Sequence, residues 1–352
     1  MDAGPVLEAA SKLVDAGATP ACQVAVAHDG ELIAFETFGA ATNHTRFCAW
    51  SATKPIVASA VWILIGEQLL DPQLPVAHYV PEFATNGKEV VTVEQVLLHT
   101  SGFPNALMPP VEGGDAVTRV KRFTEWELEW EPGSRFEYHG TSAHWVLAEL
   151  IERVSGHDFR DFIETRVCTP HGLPRLLGLA PEEQGDIAPS TPLGTRPNDS
   201  DVHAVDPLAL DGVDVRAAGV PGAGGVMTAA TMALFYQALL HDPKHVWDTD
   251  VLLDAKTNVR CSFPDPLMQV PANRSLGLVL AGADGQHQLR YAMFGRKNSP
   301  GSFGHAGAYA QVGWADPATG VSFSFLKNGL QADMMADAVN VIPITNAAAA
   351  LR

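Results

Sequence analysis

The sequence predicts an α+β fold in which an antiparallel sheet, formed by the N- and C-terminal segments and flanked by helices, stands beside a mostly helical second lobe. Three observations predict it. Runs that read as strands gather near both ends of the chain, at 23–38 and 275–326. Helical patterns fill the stretch between them. Residues 55–65 are apolar on every side, which suits a helix buried all round, and this run is too short to span a membrane. A chain of 352 residues can bury one large core. A single unit is therefore expected over 1–352, with its α/β part at about 1–70 and 218–352 and the helical lobe at about 71–217. A pocket is expected between the two parts.

The elements follow in order. Residues 6–16 read as a short helix, and Gln23 to His28 and Glu31 to Phe38 as two strands joined by Asp29-Gly30, a strong hairpin signal. Pro55 suits a first helical turn, where its missing N–H costs nothing. Asp71-Pro72 stops that helix and opens a proline-punctuated loop to Pro81. Thr92-Val93-Glu94-Gln95 resembles a capping box. Residues 103–122 read as irregular. A helix is expected from Thr141 to Ser155 with Gly156 as its C-cap, then a second near Phe159 to Val167. Residues 180–217 are acidic and aperiodic, and are taken as material around a pocket. Pro221-Gly222-Ala223-Gly224-Gly225 feeds a helix from Thr228 to Leu240. No Gly-Lys-Ser/Thr follows it, so it is not a phosphate loop. Strands at Ser275–Leu280, Gln288–Phe294, Tyr309–Ala315 and Val321–Leu326 lead to a helix from about Gln331.

Composition narrows the function. A formal net charge of −17 argues against nucleic acid or an anionic membrane as partner. Cys22, Cys48, Cys168 and Cys261 lack C-x-x-C spacing, and Met1 to Pro5 shows no signal-peptide pattern, so a reducing, cytoplasmic setting is expected. Scattered histidines, without H-E-x-x-H or paired cysteines, give no expectation of a metal or other cofactor.

The chemistry centres on Trp50-Ser51-Ala52-Thr53-Lys54-Pro55. On a helix, Ser51 and Lys54 lie one turn apart on one face, which allows a nucleophile–base pair. The chain contains a second S-x-x-K, Ser324-Phe325-Leu326-Lys327, within an alternating, strand-like run. Residues three apart on a strand point to opposite faces, so only the first copy is a candidate site.

Further motifs stand in order: Leu97-Leu98-His99-Thr100-Ser101-Gly102, Glu131-Pro132-Gly133-Ser134-Arg135-Phe136-Glu137-Tyr138, Gly224-Gly225 before a helix, and Phe303-Gly304-His305-Ala306-Gly307. With Ser51-Ala52-Thr53-Lys54 the set resembles the serine β-lactamase-related hydrolases. That branch contains class C β-lactamases, D-alanyl-D-alanine carboxypeptidases, D-aminopeptidases and family VIII carboxylesterases. The resemblance covers about Val24 to Leu330 and implies a β-lactamase-like fold. It implies that Ser51 is the acylated nucleophile, with Lys54 and Tyr138 acting as one base unit. It also implies that His305-Ala306-Gly307 lines the cleft, and that the backbone N–H groups of Ser51 and Ala308 bind the developing oxyanion. His99 is read as structural.

Two departures from the family pattern bear on the substrate. Tyr138-His139-Gly140 lacks the family's asparagine, and His305 replaces a lysine that in many relatives holds a substrate carboxylate. Both turn the expectation from β-lactams and peptidoglycan toward small or medium esters. Acyl transfer through the same acyl-enzyme is the alternative, followed by an amidase, D-aminopeptidase or β-lactamase, and last a non-catalytic binding protein. No G-x-S-x-G elbow offers another route to an esterase. Oligomeric state is left open.

Overall fold

A computed structural model describes residues 1–194, 210–290 and 294–352. Its organising element is a six-stranded antiparallel sheet made from the two ends of the chain. The strands are β1 (Ala21–His28), β2 (Glu31–Gly39), β3 (Val279–Leu280), β4 (Phe303–Gly307), β5 (Gln311–Asp316) and β6 (Val321–Lys327), in spatial order β2-β1-β6-β5-β4-β3. Asp29 and Gly30 both take positive φ, 52° and 83°, giving the tight turn expected between β1 and β2.

Strand periodicity sorts the side chains between two layers. Val24 and Val26 on β1 and Phe323 and Phe325 on β6 pack with helix α1 (Gly4–Asp15) and the last helix, Met334–Ala348. Ala25 and Ala27 face the other way, into the larger core shared with the remaining helices. In that core lie α2 (Lys54–Gly66), α3 (Ser142–Ser155) and α4 (Ala229–His241). As its composition predicts, α2 is buried on every side from Lys54 to Leu64. Indole donors tie its surroundings: Trp62 Nε1 to Leu276 O at 2.8 Å, and Trp247 Nε1 to Ser59 O at 2.9 Å. Buried Gln23 joins the layers, donating to Thr42 O and Thr45 O and accepting from Ala229 N–H at the start of α4.

Local signals hold at Thr92–Gln95, where both capping-box bonds form, and at Gly156, which ends α3 at φ +73°. Other expectations need correction. Residues His287–Arg290 form a helical turn rather than the start of a strand, and 291–293 lie outside the described residues. Only Val279–Leu280 of the expected strand from Ser275 pairs in the sheet, because Ser275 to Leu278 close a tight turn, Ser275 N–H donating to Leu278 O with Gly277 at φ +95°. Tyr309 and Ala310 leave the extended conformation, so β5 begins at Gln311. Within 103–122, read as irregular, Asp115 caps a helix spanning Ala116–Glu125. The 180–217 segment is described at its two ends only: Thr191–Leu193 pairs in parallel with Gly329–Gln331, and Val213–Ala218 is helical. The expectation that it surrounds a pocket falls in part on 195–209, which lie outside the described residues. Among the described residues no helix is long and apolar enough to cross a membrane.

Candidate active site

Ser51 lies in a 3-10 turn, Trp50–Thr53, that runs directly into α2, and Pro55 occupies the first turn of that helix. This places Lys54 Nζ 3.1 Å from Ser51 Oγ. Lys54 is buried, and Nζ also donates to Gly140 O at 2.6 Å and Gly222 O at 2.7 Å. Two backbone carbonyls thus occupy two directions around the nitrogen, and Ser51 occupies the third. When protonated, the amine donates to Oγ; when neutral, its lone pair meets the hydroxyl proton, as a general base requires. Burial pushes the Lys54 pKa below the ordinary lysine value, the nearby Tyr138 phenol pulls it back up, and the Arg274 charge lowers it.

Tyr138 stands half-buried, its ring centre 5.0 Å from Lys54 Nζ. Rings flank it, His99 at 4.8 Å and His305 at 6.1 Å. His99 is buried and accepts the His139 N–H at Nδ1, 3.2 Å away. Burial and the neighbouring positive charges hold its pKa well below the usual histidine value. It packs as a neutral ring behind Tyr138, in keeping with a structural part. His139 is buried, accepts the Phe103 N–H at Nε2 and has Nδ1 2.7 Å from Glu137 O. Burial lowers its pKa to about 4. It therefore turns away from the substrate side, and Gly140 presents bare backbone there. Gly140 is exposed, and a Cβ on it would meet nothing within 4 Å.

His305 lies on β4 with Nδ1 2.6 Å from Ala306 O and Nε2 3.0 Å from Arg274 Nη1. A carbonyl only accepts and a guanidinium only donates, so Nδ1 carries the proton and Nε2 is the acceptor. Burial, then the charges of Arg274 and Lys54, keep His305 neutral, its pKa well below the usual value. It supplies no charge of the kind a lysine would bring. The fixed cation here is Arg274, whose guanidinium stands 5.4 Å from the Tyr138 and Phe136 ring centres. Sequence reasoning passed over it. A lone arginine after Pro271-Ala272-Asn273 carries no spacing signal, and its place beside Tyr138 depends on bridges to Cys261 and Val279 that the sequence does not announce.

A Cβ on Gly307 would strike Ala49 O and crowd Trp50. Glycine there lets the end of β4 run against the turn that bears Ser51, and half-buried Ala308 follows at that crossing. The sequence-derived candidates Ser51, Lys54, Tyr138, His305, Gly307 and Ala308 are thus brought together around the turn that bears Ser51. The second S-x-x-K does not join it. Ser324 Oγ donates to Ala229 O on α4, while Lys327 Nζ donates to Asp337 Oδ2 at 2.9 Å on the opposite face of the sheet. Among the described residues no three His, Cys, Asp or Glu side chains are placed to hold a metal ion.

Comparison with known proteins supplies the family. LipL of Mycobacterium tuberculosis, named an esterase/beta-lactamase, is 26% identical over 318 residues, covering 80% of this chain and 68% of LipL. Esterase EstB of Burkholderia gladioli is 30% identical over 151 residues, 37% of each chain. The crystal structure of a family VIII carboxylesterase superposes with a TM-score of 0.81 at 24% identity, covering 98% of this chain and 96% of the other. The fold is therefore β-lactamase-like, as the sequence predicts. The Beta-lactamase family model matches residues 7–344, nearly the whole chain, and with that match this protein belongs to the Beta-lactamase family of serine hydrolases.

Proposed function

We propose that the protein is a carboxylesterase that cleaves small to medium esters through a Ser51 acyl-enzyme. The observation that carries this reading is the setting of Lys54: buried, with two carbonyls on its nitrogen and Ser51 Oγ at 3.1 Å. Ser51 Oγ attacks the ester carbonyl carbon while its proton passes to the Lys54/Tyr138 unit. The Ser51 and Ala308 N–H groups bind the oxyanion of the tetrahedral intermediate. The C–O bond then breaks, and the base unit returns the proton to the departing alcohol. Water attacks the acyl-enzyme in a second round of the same proton transfer and releases the acid.

Esters are favoured over amides by bare Gly140, which offers no side-chain amide to a substrate, and by neutral His305, which offers no cation on β4. The names of LipL and EstB as esterases agree with this. A cytoplasmic setting accords with four free cysteines.

The test is intact-protein mass spectrometry after incubation with a fluorophosphonate and, separately, p-nitrophenyl butyrate, with peptide mapping and a Ser51→Ala control. One adduct on Ser51, with turnover lost in the variant, is the expected result. A folded wild-type protein with neither adduct nor turnover would overturn the reading.

A further inference from the structure

Three non-glycine residues around Ser51 take left-handed backbone: Trp50 at φ +49°, Tyr309 at φ +58° and Ala310 at φ +64°. Bulky side chains rarely adopt this region, and such residues persist only where their surroundings fix them. Here the two aromatic ones touch each other. Trp50 and Tyr309 meet edge to face, ring centres 5.7 Å apart, and both are buried in a small apolar cluster with Leu330.

Each also has its carbonyl held by a buried side-chain donor. Thr53 Oγ1 donates to Trp50 O at 2.6 Å, and Gln311 Nε2 donates to Tyr309 O at 3.2 Å. Thr53 is in turn fixed by the glycine cluster, since Gly225 N–H donates to Thr53 Oγ1 at 3.0 Å and Gly225 O accepts from Ala49 N–H at 2.8 Å. A Cβ on Gly225 would strike Thr53 Oγ1, which gives the glycine pair before α4 a physical reason.

The Trp50 carbonyl shares a planar trans peptide with the Ser51 N–H, so the two point in opposite directions. Whatever holds the carbonyl aims the N–H. The geometry points to Thr53 as a positioning residue for catalysis: its hydroxyl locks the left-handed Trp50–Ser51 peptide, braced by Tyr309, so that the Ser51 N–H is aimed at the substrate oxyanion before substrate arrives. This rests on the acyl-enzyme reading above. Thr53 touches neither substrate nor base, and acts only through the peptide it holds.

The experiment compares wild type, Thr53→Val and Thr53→Ser on p-nitrophenyl butyrate. Turnover is expressed per Ser51 labelled to completion with the fluorophosphonate, so unfolded material does not count. Thr53→Val keeps the shape and removes the hydroxyl. It is expected to lower kcat about 10- to 100-fold with KM and the pH midpoint unchanged, part of the loss caused by deleting an oxyanion donor outright. Thr53→Ser restores the donor and is expected to recover most of the loss. Should Thr53→Val fail to fold, Tyr309→Leu takes its place and should lower kcat in the same direction. Wild-type kcat in a folded Thr53→Val (or in Tyr309→Leu where that stands in), or a Thr53→Ser protein as slow as Thr53→Val, overturns the assignment while the hydrolase reading stands. A wild-type protein without turnover removes both.

Discussion

The chain contains two buried lysines, each three residues after a serine, and they have opposite fates. Lys54 sits on a helix with carbonyls and a hydroxyl around it, and Lys327 sits on a strand beside a carboxylate. The local periodicity decides whether the serine and the lysine meet. The partner decides what the lysine can do. Asp337 binds the Lys327 proton in an ion pair buried on both sides, whereas the partners of Lys54 leave its lone pair an outlet toward Ser51. Identical spacing thus sets a lysine against a serine hydroxyl in one place, as the proposed base, and makes a structural pin in the other.

Substitutions that break this contrast fall in order of size. Lys54→Met is expected to reduce kcat/KM by at least about 10³-fold, since base and nucleophile act as a unit, while Lys327→Met leaves turnover per folded molecule unchanged. Steady-state kinetics normalised to labelled Ser51 separates the two. In the wild type, activity should fall as pH drops through the Lys54 pKa, at a midpoint below the ordinary lysine value of 10.5. The unfolded chain binds the Lys54 proton more tightly than the folded one, so burying Lys54 destabilises the fold increasingly as pH falls from 10.5 to its folded pKa. Lys54→Met should abolish that part of the pH dependence of unfolding.

Asp337→Asn comes next. It strands the Lys327 charge and should lower stability by about 3–5 kcal/mol in denaturant titration, with kcat unaffected. Ser324→Ala is the smallest, about 1 kcal/mol for one hydrogen bond to Ala229 O. An effect of Ser324→Ala on turnover would contradict the separation of the two motifs.

The sequence carried the sheet, the buried helix and the capping box because these depend on local period and turn chemistry. Asp29-Gly30, residues 55–65 and Thr92–Gln95 each hold their signal within a dozen residues. The meeting of Ser51 with Lys54 was legible for the same reason. Arg274 was not, because its contacts with Tyr138 and His305 depend on chain folding between distant segments. Of the strand expected at 288–294, Gln288 to Arg290 form a helical turn instead, because so short a mixed stretch cannot distinguish strand from helix by its pattern, and 291–293 lie outside the described residues. The left-handed turn at Tyr309 was hidden too, since nothing in Ala308-Tyr309-Ala310 carries the glycine or asparagine that usually marks one.

The sheet's construction also bears on how the protein comes into being. β1 pairs with β2 beside it in sequence but also with β6, and Ala21 N–H is bound by Asn328, 307 positions away. At roughly 5–20 residues per second, a ribosome exposes β1 for about 15–60 s before its second neighbour exists. Ser51 and Lys54 emerge early, yet β4, which packs against the turn that bears Ser51, comes with the last strands. Nascent chains should therefore remain inert and lean on chaperones until late in synthesis, so that activity itself reports that translation has passed β6.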